Sequence, residues 1–161
     1  MRWALVLTTA GLALGCGASG RGAREGASAG VLSPASFTLT LRGMEITLDE
    51  TGAVHAPDCD AHLDFATATL TGEGGAVLSR LTGDAWPRAL VVGEGEPPVR
   101  VSEREVVAGD RTLFSVADDG HLLDAGGGTT EPPDIATVGL DAGEETTALA
   151  LLALVSACWE D

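Results

Sequence analysis

Lysine, asparagine, glutamine and tyrosine do not occur anywhere in this sequence, and aromatic residues make up only 4% of it. The nine basic residues are therefore all arginine, set against 24 aspartates and glutamates, for a formal charge of −15. With no basic cluster and no aromatic platform on which bases could stack, that field repels nucleic acid and anionic lipid headgroups, and a polyanion-binding role is excluded. A membrane-spanning stretch is missing too. The uncharged run at the amino terminus, Trp3 to Leu14, is about a dozen residues long, whereas a helix that crosses a bilayer needs ~20. Four absent residue types beside abundant Ala, Gly and Leu read as biased codon use and not as a functional trait. At 161 residues the chain is one domain's worth.

The amino terminus sets an expected compartment. One positive charge at Arg2, the apolar run, and small residues before Cys16 form the pattern of a secretory signal. The segment Ala13-Leu14-Gly15-Cys16 resembles the lipobox of bacterial lipoproteins, in which a small residue precedes a cysteine that is acylated. Leu14 stands where that family more often has Ala or Ser. The resemblance implies that residues 1–15 are removed and that Cys16 becomes the first residue, carrying a diacylglycerol and an amide-linked chain such as palmitate. It also implies a membrane partner through that lipid, since several acyl chains at about 0.8 kcal/mol per CH₂ anchor stably. Gly17 follows, where an aspartate would signal inner-membrane retention, so the resemblance points to the outer membrane and leaves the leaflet open.

Residues 16–33 are expected to be the lipidated cysteine and a tether, since 17–30 contain only Gly, Ala, Ser, Arg and one Glu. Fully stretched, the fourteen residues would reach at most ~50 Å, and typically ~20 Å. A G-x-S-x-G match around Ser28 lacks the strand and helix that a nucleophile elbow requires. From Ser36 the pattern alternates: Phe37, Leu39 and Leu41, then Met44, Ile46 and Leu48, face one way, with Gly43 between the two runs. Shorter alternating segments follow at roughly ten-residue intervals, separated by turn signals of which Asp119-Gly120 is the strongest. "ITLDETGAVHA" and "FSVADDGHLLD" echo one another as tandem hairpins. The expected fold over 34–161 is all-β or β-rich, an antiparallel meander or sandwich of short hairpins with one C-terminal helix packed on the sheet. That helix is placed at about 143–157, after a capping-box-like Asp141 and Glu144.

Assigning Cys16 to lipid leaves Cys59 and Cys158, an even pair that favours one disulfide in an oxidising compartment. Such a bridge would deny a thiolate to "HAPDCDAH", residues 55–62, which then reads as a polar loop stapled to the terminal helix. The weaker metal reading of this stretch uses His55, Asp58, Asp60, His62 and Asp64. For zinc, the seven-residue spacing of the histidines across Pro57 matches no usual pairing, and for calcium Thr69 stands where a closing glutamate belongs. Serines 79, 102, 115 and 156 sit in no nucleophile motif, and His121 with Asp118 and Asp119 reads as turn chemistry. No cofactor and no catalytic residue is implied. The expected function is a non-catalytic, lipid-anchored envelope protein with a structural or binding role and an unidentified envelope partner. Two alternatives stand beside it: calcium binding by acidic loops (Asp49-Glu50, Asp58 to Asp64, Asp118-Asp119 with Asp124), and a small hydrolase with a histidine base.

Overall fold

The computed structural model describes residues 30–156, 158 and 159. The signal, the lipobox cysteine and Ser28 lie outside the described residues. Twelve strands form one antiparallel sheet: β1 Phe37–Leu41, β2 Met44–Leu48, β3 Ala53–Ala56, β4 Cys59–Asp64, β5 Thr69–Gly72, β6 Val77–Thr82, β7 Arg88–Leu90, β8 Val99–Val101, β9 Glu105–Ala108, β10 Arg111–Val116, β11 Leu122–Asp124 and β12 Ala136–Val138. Among the described residues one α-helix, α1, spans Glu145–Ser156.

The alternation of side chains explains the sheet's two faces. Phe37, Leu39 and Leu41 on β1 and Ile46 and Leu48 on β2 are buried, while Thr40 and Glu45 point outward. Leu41 pairs with Met44, so only Arg42 and Gly43 make the turn between them, and both take positive φ, 51° and 82°. A two-residue hairpin loop of that hand suits the twist of the strands it joins. The same logic carries the chain from β1 to β11, each strand beside the next. β12 then returns to β1, with Leu39 opposite Thr137. Residues just before β12 are bonded to β11: Asp124 N–H donates to the carbonyl of Pro133 at 2.9 Å and Ile135 N–H to that of Leu122 at 2.8 Å. The sheet thereby curls into a nearly closed ring, which leaves little unpaired edge. Its interior is mostly apolar, with Arg88 and Asp124 among the few charges turned inward, and its outer face carries mainly Thr, Glu, His and Arg.

The helix fills that interior. Every residue from Thr147 to Val155 is buried, and α1 packs against β5, β6, β8, β9 and β10. A helix apolar all round is stable only when every face is covered, and the curled sheet covers it. Its polar groups are met individually: Ser79 Oγ donates to the carbonyl of Leu154 at 2.8 Å, and Thr147 Oγ1 to that of Ser33 at 3.2 Å. The helix begins two residues later than the sequence suggests, and the expected last residue, 157, lies outside the described residues. Glu144 Oε2 accepts the N–H of Asp141 at 3.0 Å, which puts that capping interaction in the turn before the helix.

Two expectations are corrected. The tether was expected to run through residue 33, but Leu32 is 3% exposed and its N–H donates to Phe65 O, so the domain begins earlier. Burial of one leucine outweighs the small-residue composition around it. The "HAPDCDAH" stretch is not a loop but the hairpin of β3 and β4. Ala56 pairs with Cys59, leaving Pro57 and Asp58 (φ 58°) as the turn. Proline presets one turn position and aspartate tolerates the left-handed one. Val54, Cys59 and Leu63 face inward and His55, Asp60, His62 and Asp64 outward, a strand alternation that dense polar side chains obscure.

Candidate functional site

An antiparallel meander reverses at every connection, so its turns alternate between two ends of the ring. The turns after β1, β3 and β11 lie at one end, with the C-terminus of α1. The turns after β4, β6, β8 and β10 lie at the other, with its N-terminus and with Gly30, where the described chain begins.

At the first end Cys59 and Cys158 form a disulfide, Cα to Cα 5.9 Å, which ties the start of β4 to the residues after α1. Trp159 Nε1 donates to the carbonyl of Pro57 at 2.9 Å, a second tie to the same hairpin. Arg42 grips Asp124 in a bidentate pair, Nε to Oδ2 at 2.6 Å and Nη2 to Oδ1 at 2.8 Å. It joins the β1–β2 turn to the end of β11 across the seam of the ring. The hydrogen bond to Asp124, and next its charge, raise the Arg42 pKa against the opposing effect of burial.

The candidate metal residues do not gather. His55 Nδ1 pairs with Asp60 Oδ1 at 2.8 Å, both side chains 70% exposed, and Asp58 stands in the turn. Asp64 accepts the N–H groups of Ala66 and Thr67, at 2.9 and 3.2 Å. Asp49 is engaged likewise, accepting from Thr51 Oγ1 at 2.6 Å, Thr51 N at 2.8 Å and Ala53 N at 3.0 Å. The Thr51 hydroxyl and then the backbone N–H groups hold its carboxyl below the ordinary range. Among the described residues, no group of three or more His, Cys, Asp or Glu side chains is placed to hold a metal ion.

Two cavities open at the other end beside a smaller one, about 240 Å³, at Trp86, Pro87 and Arg104. The first, about 560 Å³, has His121 beside Asp119 and Asp134, with Nδ1 3.9 and 3.8 Å from their carboxylates, and Asp141 and Glu145 across from it. Asp119 Oδ1 accepts the N–H of His121, as turn aspartates do. The nearest charged partners of the ring are thus carboxylates. Among the described residues no histidine ring is hydrogen-bonded to a serine or threonine.

The second cavity, about 600 Å³, lies between Gly30, the turn at Ala66-Thr67 and the turn at Gly83-Asp84. Arg88 lines it from β7, where it is in phase with Leu90 on the inward face and only 6% exposed. Its guanidinium donates to three carbonyls: Nη1 to Gly30 at 2.6 Å, and Nη2 to Leu81 at 2.7 Å and Thr67 at 3.0 Å. Its carbon Cζ lies 5.9 Å from the centre of the Trp86 ring, within cation–π range. Nε is buried without a partner among the described residues. Burial lowers the Arg88 pKa and the negative charge of Asp84 opposes the shift, but a guanidinium stays charged at any ordinary pH.

Sequence reasoning passed over Arg88 and the Arg42–Asp124 pair. The signal for Arg88 and Asp124 was their phase: in "RALVVG" the arginine alternates with Leu90, and in "HLLDA" the aspartate alternates with Leu122, so strand geometry turns both charges inward. Nothing local pointed to Arg42, whose partner is 82 residues away. Comparison of the chain with protein-family models, with curated proteins and with solved structures finds no match.

Proposed function

We propose that this chain is a lipid-anchored protein of the bacterial envelope whose acidic β domain acts by binding or structural contact and not by catalysis. The Cys59–Cys158 bridge carries the reading. Disulfides persist in oxidising compartments, and pairing these two leaves one cysteine, Cys16, at the position that resembles an acylated one. The domain supports a binding or scaffold role through its rigidity: a ring of strands around a covered helix, pinned at one end by a covalent bond. Calcium binding draws less support, because Asp49, Asp64, Asp119 and Asp124 already serve neighbouring groups. A histidine-based hydrolase draws less as well, because His121 faces carboxylates.

Mass spectrometry of the purified full-length product, with detergent phase separation, tests the proposal. The expected product begins at Cys16, carries acyl mass on that residue, enters the detergent phase and has no free thiol at 59 or 158. A water-soluble product that keeps Met1 and bears no lipid would overturn it.

A further inference from the structure

A positive charge buried in a strongly acidic protein asks for an anion. Arg88 is 6% exposed, yet among the described residues no carboxylate lies within ion-pair distance of it. Its three carbonyl partners occupy three of the five N–H groups of a guanidinium; Nε is buried without a partner and closed to solvent, which leaves the second N–H of Nη1 for a ligand. An unpaired buried charge is costly, and native proteins compensate it with a counter-charge or with polar ligands.

The surroundings are suited to supplying one from outside. Arg88 lines a cavity of about 600 Å³ that also receives Arg80, from the outward face of β6, and Thr67, Thr69 and Thr82. Two arginines and the hydroxyl-bearing threonines meet one aspartate, Asp84, in a molecule whose formal charge is −15. The local sign is therefore opposite to that of the whole chain. Acidic surroundings repel large polyanions but affect a small anion less, because salt screens distant charges beyond ~8–10 Å while contacts inside the cavity are not screened to the same degree.

We propose that the cavity between Gly30, the β4–β5 turn and the β6–β7 turn is a binding site for a small oxyanion, a carboxylate or a phosphate group, held by Arg88 and Arg80 with threonine hydroxyls as further donors. Arginine's planar set of donors suits either oxyanion. Asp84 sets the limit on charge: it disfavours highly charged ligands. The proposal does not depend on the acyl anchor.

Thermal unfolding of the full-length chain at constant ionic strength tests it, with inorganic phosphate and acetate as separate probes and chloride as the reference. A ligand that binds only the folded state raises Tm in proportion to RT ln(1 + [L]/Kd). The expected result is a saturable rise with phosphate, acetate or both, beyond the effect of chloride, and the active probe identifies the class of oxyanion. Arg88→Ala removes three structural hydrogen bonds and is a poor test by itself, so the two exposed charges decide. Arg80→Ala should weaken binding by about two- to fivefold and Asp84→Asn should strengthen it by a similar factor, the range set by exposed charge pairs. Opposite shifts from two substitutions at one cavity are not produced by a merely structural role. If neither probe differs from chloride, or if both variants respond as the parent does, the proposal fails.

Discussion

Arg42 and Asp124 meet where the two ends of the sheet come together, and their environments differ: the arginine side chain is 57% exposed and the aspartate 7%. Removing the arginine leaves a buried carboxylate without its partner, which costs more than the pair contributes. Arg42→Ala should therefore lower stability by about 1–3 kcal/mol, read as a drop in the urea midpoint. The double substitution Arg42→Ala, Asp124→Ala should recover part of that loss, because no orphan charge remains. Asp49 makes a different prediction. Its carboxyl is held below its ordinary value by Thr51 and Ala53, so the folded state binds its proton less readily than the unfolded state does. Its contribution to stability is present above the unfolded value, about pH 4, and is lost as pH falls through the lower folded value. Asp49→Asn should melt below the parent at pH 7, and the gap should narrow as the pH falls below about 4. A gap that stays constant with pH would contradict the assignment.

At the scale of elements, α1 is unusual in having no wet face. An ordinary surface helix tolerates a charge on one side, since about half of its circumference meets water. Four successive residues of α1, Ala150, Leu151, Leu152 and Ala153, sample every side of it, and none is more than 2% exposed. Glutamate at any one of the four should abolish cooperative unfolding or soluble expression, whereas tolerance at one would reveal an open side. The milder Leu151→Ala removes buried atoms only and should cost about 2–5 kcal/mol, measured by denaturant titration. The strands are individually weak partners for this helix. β7, β8, β11 and β12 have three residues each, too few to be stable alone, and they gain their order from neighbours in the ring. The hairpin turns give register, as at Arg42-Gly43 and Pro57-Asp58, where glycine and aspartate tolerate the positive φ of Gly43 and Asp58.

For the molecule as a whole, the bond between Cys59 and Cys158 spans a sequence separation of 99 residues and encloses nearly all of the meander after β3. On the chain-entropy account, closing a loop of that size in the unfolded chain is worth roughly 4–5 kcal/mol. Reduction, or a Cys59→Ser, Cys158→Ser double variant, should lower unfolding stability by up to about that amount in urea titrations with and without reductant. Equal midpoints in the two conditions would mean that the ring and its helix hold without the staple. The two ends of the ring are then built differently. One is closed by a disulfide, a tryptophan and an ion pair, and the other carries the cavities at His121 and Arg88 and Gly30, where the described chain starts.

Alternation by two, broken by Gly, Asp and Pro, was enough to determine that the chain builds antiparallel hairpins, and the Ala and Leu run was enough to determine a terminal helix. Both are local, since side-chain direction and turn geometry depend on a few adjacent residues. Setting Cys16 aside as the expected acylation site left Cys59 and Cys158 as the expected disulfide partners, and these two are bonded. The hairpin inside "HAPDCDAH" escaped because its inward positions, Val54, Cys59 and Leu63, are separated by polar residues that look like a loop when pairing is unseen. Closure of the ring, the enclosure of α1, the seam between Arg42 and Asp124 and the cavity at Arg88 were decided only in three dimensions. Each depends on groups far apart in the chain, 82 residues for the ion pair and 58 for the bond from Arg88 to Gly30. No local pattern encodes which distant carbonyl or carboxylate a buried charge will meet, because that follows from how the whole sheet curls around what it must cover.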